Sequence, residues 1–550
     1  MIETTVLISG AGPVGLTLAL DLARRGVACI VVERREAGEP PSVKCNHVAS
    51  RTMEAFRRLG LASKIRAAGL PADYPNDCVY RTSVTAGLEI TRIPIPASGE
   101  RWTDFDGPDT WWPTPEPPHR INQIFLEPLI FAHAAEQPLI TIINECELVE
   151  AEQSETCVVA TICDLRTRLS RKVSCTYLVG CDGGRSLVRT LIGAKLHGDP
   201  VVQRVQSTYI RAPQLLDMIQ GRPGWMNLSL NPRRSGNTVA IDGRETWLIH
   251  TYLYEHEEDF DAVDRDASIR TILGVGDDFE YEVLSKEDWI GRRLVADKFR
   301  DRRIFICGDS AHLWVPYAGY GMNAGIADAI NLGWLLAARL VGWGGDHLLD
   351  AYEAERLPIT EQVSHFAMNH ALGAIAHRRA VPAAVEAAGP AGQAARDTLG
   401  RSVYDLNVQQ YCCGGLNYGY FYDRSPLIAY DGESAPGFTI SEFTPSSVPG
   451  CRTPHFWRAN GRSAYDDFGP WYTLLRFDRS IDVVPLAAAA AACGVPLKIL
   501  DISPDERTAV YRHALLLSRP DLHVAWRGDA LPGDPGALID RIRGAREDNA

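Results

Sequence analysis

Thr5-Val-Leu-Ile-Ser-Gly10-Ala-Gly12-Pro13-Val14-Gly15 constrains this chain more than any other stretch. Helical apolar spacing follows from Leu16 to Arg25, then a second apolar run, Ala28 to Val32, ending at Glu33 and Arg34. Apolar runs without alternation read as strands buried on both faces, the strands of a parallel sheet covered by helices. Each glycine serves a different end, since Gly10 makes the turn, Gly12 lets backbone approach a pyrophosphate, and Gly15 lets helix pack on strand. Glu33 lies eighteen residues past Gly15, about the spacing at which an acid reaches a ribose hydroxyl. The unit predicts a dinucleotide site without choosing between FAD and NAD.

A second constraint lies far downstream. Ile304-Phe-Ile is a short buried-type run, and Gly308-Asp309 puts a carboxylate just past its end, where open α/β sheets bind ligands. Small residues between Pro316 and Asn323 let backbone N–H groups approach a flat ligand. Ile326, Ile330, Leu332 and Leu336 then predict a helix whose N-terminus directs its partial positive charge at that ligand.

Gly308-Asp309-x-Ala311-His312, Pro316 and Gly319-x-Gly321-Met322-Asn323 together resemble the flavin-contacting segment of the class A flavoprotein monooxygenases. These are the aromatic-ring hydroxylases that include para-hydroxybenzoate hydroxylase and phenol hydroxylase. Asp182-Gly183 after Tyr177-Leu-Val-Gly-Cys resembles the family's Asp-Gly motif, and Arg120-Ile-Asn-Gln123 its Arg-x-x-Gln. Lys44 and Arg51-Thr-Met-Glu take the places of the basic residue and helix start that follow the ribose acid. The partnership of Gly10–Gly15 with Gly308-Asp309 selects FAD. Ser50 is read as an N-cap of that helix, with Met53, Phe56 and Leu59 on its apolar face.

The resemblance covers residues 1–365 strongly and 413–530 moderately. It implies an α/β and α+β architecture in which a Rossmann-type FAD-binding domain (1–72, 119–199, 291–365) is interleaved with a β-sheet substrate domain (73–118, 200–290). A helical linker (366–412) and a thioredoxin-like C-terminal domain (413–550) follow. Strands are expected at 140–149, 156–163 and 170–174 as a meander, and at 205–210, 225–230, 239–242 and 246–254 over the flavin. The implied chemistry consumes NADPH or NADH to reduce FAD, with molecular oxygen as co-substrate. A flavin C4a-hydroperoxide then passes oxygen to a phenol-like or hydroxy-heteroaromatic ring. No second Gly-x-Gly-x-x-Gly unit exists, so the nicotinamide visits a shared surface.

Pro316 is expected beside the flavin ring. The base that deprotonates the substrate is open among His47, His250, Tyr317, Asp106, Asp109 and His119. Period-two alternation groups Met226 with Leu228 and Leu248 with His250 and Tyr252, and leaves undecided which face meets the ring, so Trp247 is also a substrate candidate. Trp102, Trp111 and Trp112 are candidate pocket aromatics. A tailoring monooxygenase acting on a polyketide, as hydroxylase or Baeyer–Villiger enzyme, and a flavin-fold binding protein without catalysis remain alternatives.

Composition excludes other classes. A net charge of −13 with no long basic stripe argues against nucleic acid, and the small-apolar run Ala487 to Ala492 is too short for a bilayer. Thirteen cysteines without Cys-x-x-Cys give neither a disulfide framework nor a metal site, and imply a reducing cytoplasm and a redox-inactive C-terminal domain suited to homodimer contacts.

Overall fold

The computed structural model describes residues 1–545 and builds them around three sheets. In the first, neighbouring strands run Arg300–Asp301, Ile304–Ile306, Ser170–Gly180, Ile2–Ser9, Cys29–Val32, Ile140–Ile143. Val6 pairs in parallel with Cys29 on one side and Tyr177 on the other. Val6, Leu7 and Ile8 are fully buried, as an unbroken apolar run between two helical layers requires. The first helix, Pro13–Arg24, opens with proline at N1, where a missing N–H has no intrahelical partner to lose.

The stretch read as one strand over 140–149 is two. Ile140–Ile143 stays in the parallel sheet, whereas Cys146–Gln153 turns off to pair antiparallel with Val158–Asp164, which in turn pairs with Ser170–Gly180. Glu145, at φ 50, makes the break.

The second sheet runs His312–Trp314, Glu282–Ala296, Leu196–Arg211, Thr246–Tyr252, Gly236–Ala240, Met226–Ser229, Cys78–Arg81, Glu89–Ile93. Glu282–Ala296, unread in the sequence, pairs antiparallel with nearly all of Leu196–Arg211. Its Lys286-Glu-Asp and Arg292-Arg pairs break any apolar run, and pairing with a long neighbour makes it a strand. Cross-strand partners settle the faces: Cys78, Met226, Val239, Leu248 and Tyr209 lie in one row, and Tyr80, Leu228, Asn237, His250, Ser207 and Glu287 in the next row of the same face. Trp247 belongs to the opposite face. It is fully buried and its Nε1–H donates to Ala212 O at 3.3 Å, so it packs the core and does not line a substrate space.

A long helix runs from Asp350 to Arg379, through Pro358. Gly389–Tyr411 follows, and its Leu399, Val403 and Tyr411 join the core of the second sheet. The third sheet orders Leu497–Asp501, Tyr472–Arg476, Leu515–Ser518, Val524–Gly528. A parallel pair linked by Val484–Ala492, an antiparallel pair and the closing helix Pro535–Ile542 make the thioredoxin-like topology. Leu474, Leu515, Leu517 and Ile539 share one continuous core with Val6 and Ile8 of the nucleotide sheet. Among the described residues no helix is long and apolar enough to cross a membrane.

Candidate active site

A cleft of about 700 Å³ opens at the carboxyl ends of the first sheet. It is lined by Gly10, Gly12, Pro13, Val14, Glu33, Arg34, Lys44, Gln123, Asp182, Asp309 and Met322, residues contributed by separated segments of the chain. A Cβ on Gly10 would stand 2.2 Å from Cys181 O, and one on Gly15 2.0 Å from Gly10 O. Gly15 is therefore the packing glycine behind the loop. A Cβ on Gly12 would meet nothing within 4 Å, because that side of the loop faces the cleft. The first helix begins there with no side-chain cap, leaving its N–H groups for an anion.

Glu33 holds the loop: its Oε2 accepts from Ala11 N–H at 2.7 Å and its Oε1 from Arg35 N–H at 3.1 Å. Arg35 continues to Glu127 at 2.5 Å, and Glu127 accepts from Gln123 Nε2 at 2.7 Å. Sequence reasoning missed Arg35 and Glu127; the carboxylate four residues beyond Gln123, one helical turn away, was the available signal. Arg34 stays largely exposed on the rim, paired with Glu147 at 3.1 Å.

Asp309 occupies the turn Gly308–Ser310 after Ile304–Ile306 and exposes its carboxylate in the cleft. Gly308 has φ 59, and a Cβ on Gly325 would come within 2.9 Å of its Cα, so the helix Tyr320–Leu340 sits directly on this turn. A buried triad unforeseen in the sequence fixes it: Asp328 accepts from His312 Nε2 and from Arg356 Nε, each at 2.8 Å. Asp182 lines the cleft but spends its side chain on structure, accepting from Leu187 N–H at 2.8 Å and Ser310 Oγ at 2.9 Å. Burial works to lower the Lys44 pKa, but Cys45, Asp309, Glu287 and Glu127 outweigh it and hold the ammonium above its ordinary value. Glu287, on the same face of the second sheet as His250, is among the charges that act on Lys44.

Other expected residues stand elsewhere. Arg51 does not line the cleft; it is held by Glu54 at 2.9 Å and Asp521 O at 3.3 Å, because its helix faces the third sheet. Ser50 is the first helical residue and no N-cap: its Oγ donates to Asn417 Oδ1 at 3.0 Å. Asn323 uses its amide as a clamp, accepting from Ala49 N–H at 2.8 Å and donating to His47 O at 3.1 Å and Gly319 O at 2.6 Å. Gly321 packs against Trp314, and Pro316 is exposed beside Tyr317, whose hydroxyl accepts from Arg378 at 3.0 Å. Trp102 and Trp111 are exposed at the surface, against Trp457 and Phe443.

His47 is buried against Gly319 with Nδ1 2.5 Å from Arg120 Nη1. Burial, reinforced by Arg120, holds the imidazole well below its ordinary pKa, so it is neutral, its Nδ1 accepts, and its proton sits on Nε2. That tautomer leaves Nε2–H as the donor of the His47 ring. His250, half-buried, bonds Ser207 Oγ at 3.1 Å, and burial lowers its pKa to about 4. Asp109 is taken by Arg101 at 2.6 Å.

FAD fits this cleft on its own features: an uncapped helix start and open Gly12 for the pyrophosphate, and carboxylates of Glu33 and Asp309, each just past the end of a separate strand, for hydroxyls. A family model described as an FAD binding domain matches residues 3–367. The FAD-dependent monooxygenase apdD of Emericella nidulans is 30% identical over 571 residues, covering 98% of this chain and 89% of the relative. The phenol 2-monooxygenase of Pseudomonas sp. is 27% identical, covering 99% of this chain and 93% of its own length. The solved structure of the rebeccamycin biosynthetic enzyme RebC with reduced flavin superposes with a TM-score of 0.90 at 35% identity, covering 99% of each chain. Matched across the nucleotide sheet by the family model and end to end by full-length relatives, the chain belongs to the FAD-dependent monooxygenases built on this FAD-binding domain.

Proposed function

We propose that this enzyme hydroxylates an electron-rich aromatic ring, phenolic or hydroxy-heteroaromatic, held between the second sheet and the loop Pro316–Gly321. The observation that carries the reading is the half-buried set Met226, Leu228, His250 and Tyr252, which shares one face of the second sheet with Glu287, a residue whose charge acts on Lys44 in the cleft. Bound FAD supplies electron transfer from NAD(P)H and activation of molecular oxygen. The chain supplies a dry ceiling, in which Met226 and Leu228 exclude water from the reacting ring. Neutral His250 donates Nδ1–H to Ser207 Oγ in the tautomer that leaves Nε2 to accept from a ring hydroxyl and orient it. Glu33, Gln123 and Asp309 hold the cofactor.

Stopped-flow mixing of the FAD-loaded enzyme with NADPH or NADH, with and without phenols, hydroxypyridines and polycyclic phenols, tests this. Flavin reduction accelerated many-fold by one compound, followed by a hydroxylated product in oxygen, is the expected result. Reduction indifferent to every ring compound, with none oxygenated, sinks the reading.

A further inference from the structure

Arg120 is 3% exposed, yet among the described residues no carboxylate pairs with it. Its Nη1 bonds the neutral His47 ring at 2.5 Å. Nε and Nη2 find no acceptor among the described residues. The nearest carboxylate, Asp109, is occupied by Arg101, which binds Asp109 Oδ2 at 2.6 Å and Asp109 O at 3.1 Å. Arg101 likewise leaves Nε and Nη2 without acceptors among those residues, so two buried guanidiniums share one carboxylate and the cluster keeps an uncompensated positive charge. Taking a guanidinium out of water without a counterion is strongly unfavourable, so a chain that maintains one is built around an anion that arrives later.

The geometry specifies the anion. The Arg120 guanidinium lies 4.2 Å from the centroid of the Trp225 ring, which covers one face and leaves the in-plane N–H groups for bonding. Nε–H and Nη2–H form one edge of the guanidinium, two parallel donors matched to the two oxygens of a carboxylate. The third group, Nη1, is anchored by His47, which itself is clamped to the Gly319 loop through Asn323. His47 packs against Gly319, in the loop Pro316–Gly321 proposed above to hold the ring.

We propose that Arg120 is a substrate-binding residue that anchors a planar oxyanion, carboxylate or phenolate, carried by the aromatic substrate. This rests on the hydroxylase reading for the identity of the ligand's ring, and on the Arg120 environment alone for its charge.

The test uses the FAD-loaded enzyme without turnover. Binding of benzoate and of its neutral isostere benzamide is read by flavin difference absorbance and by the thermal midpoint, in the wild type, Arg120→Gln and Arg120→Lys. Benzoate is expected to bind the wild type about tenfold or more tighter than benzamide, a preference lost in Arg120→Gln and reduced in Arg120→Lys, which keeps the charge without the fork. Ligand-free Arg120→Gln should melt at or above the wild-type midpoint, because it removes an unpaired buried charge. A parallel pair, 4-nitrophenolate and 4-nitroanisole, separates the sources: preference for the phenolate alone assigns the anchor to a ring oxygen, preference for benzoate to a carboxyl substituent. No anion preference in the wild type for either pair, or one that survives Arg120→Gln, overturns the proposal. Should Arg120→Gln fail to fold, an undiminished preference in Arg120→Lys overturns the fork. An enzyme that oxygenates rings yet ignores ligand charge refutes the anchor alone; one that prefers the anions but oxygenates no ring refutes only the hydroxylase reading.

Discussion

Two glycines in one loop separate folding from cofactor binding. Gly10 has φ +106 and would press a Cβ to 2.2 Å from Cys181 O, so Gly10→Ala is expected to abolish the folded nucleotide sheet. Gly12 has open space where its Cβ would go, so Gly12→Val should leave the ligand-free thermal midpoint within a few degrees, yet lower FAD affinity by about tenfold or more by filling the approach of the pyrophosphate. Flavin-to-protein absorbance ratios and melting of both variants check this; a Gly12→Val enzyme that retains full FAD content refutes it. Among single residues much of the site was legible. Gly10, Glu33, Lys44, Gln123 and Asp309, drawn from separate motifs, line one cleft. Arg51 and Asn323 do not, because a motif names a residue but not the direction in which its side chain is drawn, here by Glu54 and by the His47–Ala49 backbone.

Helix Asp350–Arg379 is tied to the third sheet by a buried pair. Arg519 donates to Glu355 at 2.6 and 2.8 Å and to Asp521 at 2.8 Å, with Arg519 and Glu355 almost wholly excluded from solvent. Arg519→Met strands two carboxylates and is expected to cost about 3–5 kcal/mol. Adding Glu355→Gln removes one stranded charge and should restore part of that loss. Denaturant midpoints across the double-mutant cycle read the coupling; strict additivity would mean the pair does not act as a unit. Elements were read well where the pattern was local, as in Pro13–Arg24 and Cys29–Val32. Glu282–Ala296 escaped because its side chains carry charge and its strand character comes from its partner, Leu196–Arg211.

Across the whole molecule, buried neutral histidines set the acid limit. Burial lowers His119, His370 and His523 from 6.5 to about 4. The folded-state pKa lies below the unfolded one, so the unfolded chain binds the additional protons as pH falls. Stability is complete above about 6.5 and declines toward 4, with each histidine contributing about 1.4 kcal/mol per pH unit at most within that window. Thermal midpoints measured from pH 8 to 4.5 should hold level and then drop steeply; a flat profile through pH 5 contradicts this. The shared core predicts a second global property. Ending the chain at Cys412 would expose Val6-sheet neighbours now covered by Leu474, Leu517 and Ile539, so the truncated protein should be insoluble or molten by circular dichroism and dye binding. A cooperative, FAD-binding truncation would show the C-terminal domain to be an appendage. Order along the chain was enough to specify the nucleotide unit, the flavin segment and the thioredoxin-like strands, since glycine turns, apolar runs and helix starts are demands made by neighbouring residues. It took the packed molecule to show that Trp247 is buried in the core on the face opposite His250, and that Arg120 is buried beside His47 with no counterion among the described residues. Period two sets which residues alternate but not which face is buried, and a missing charge partner exists only once distant segments have come together.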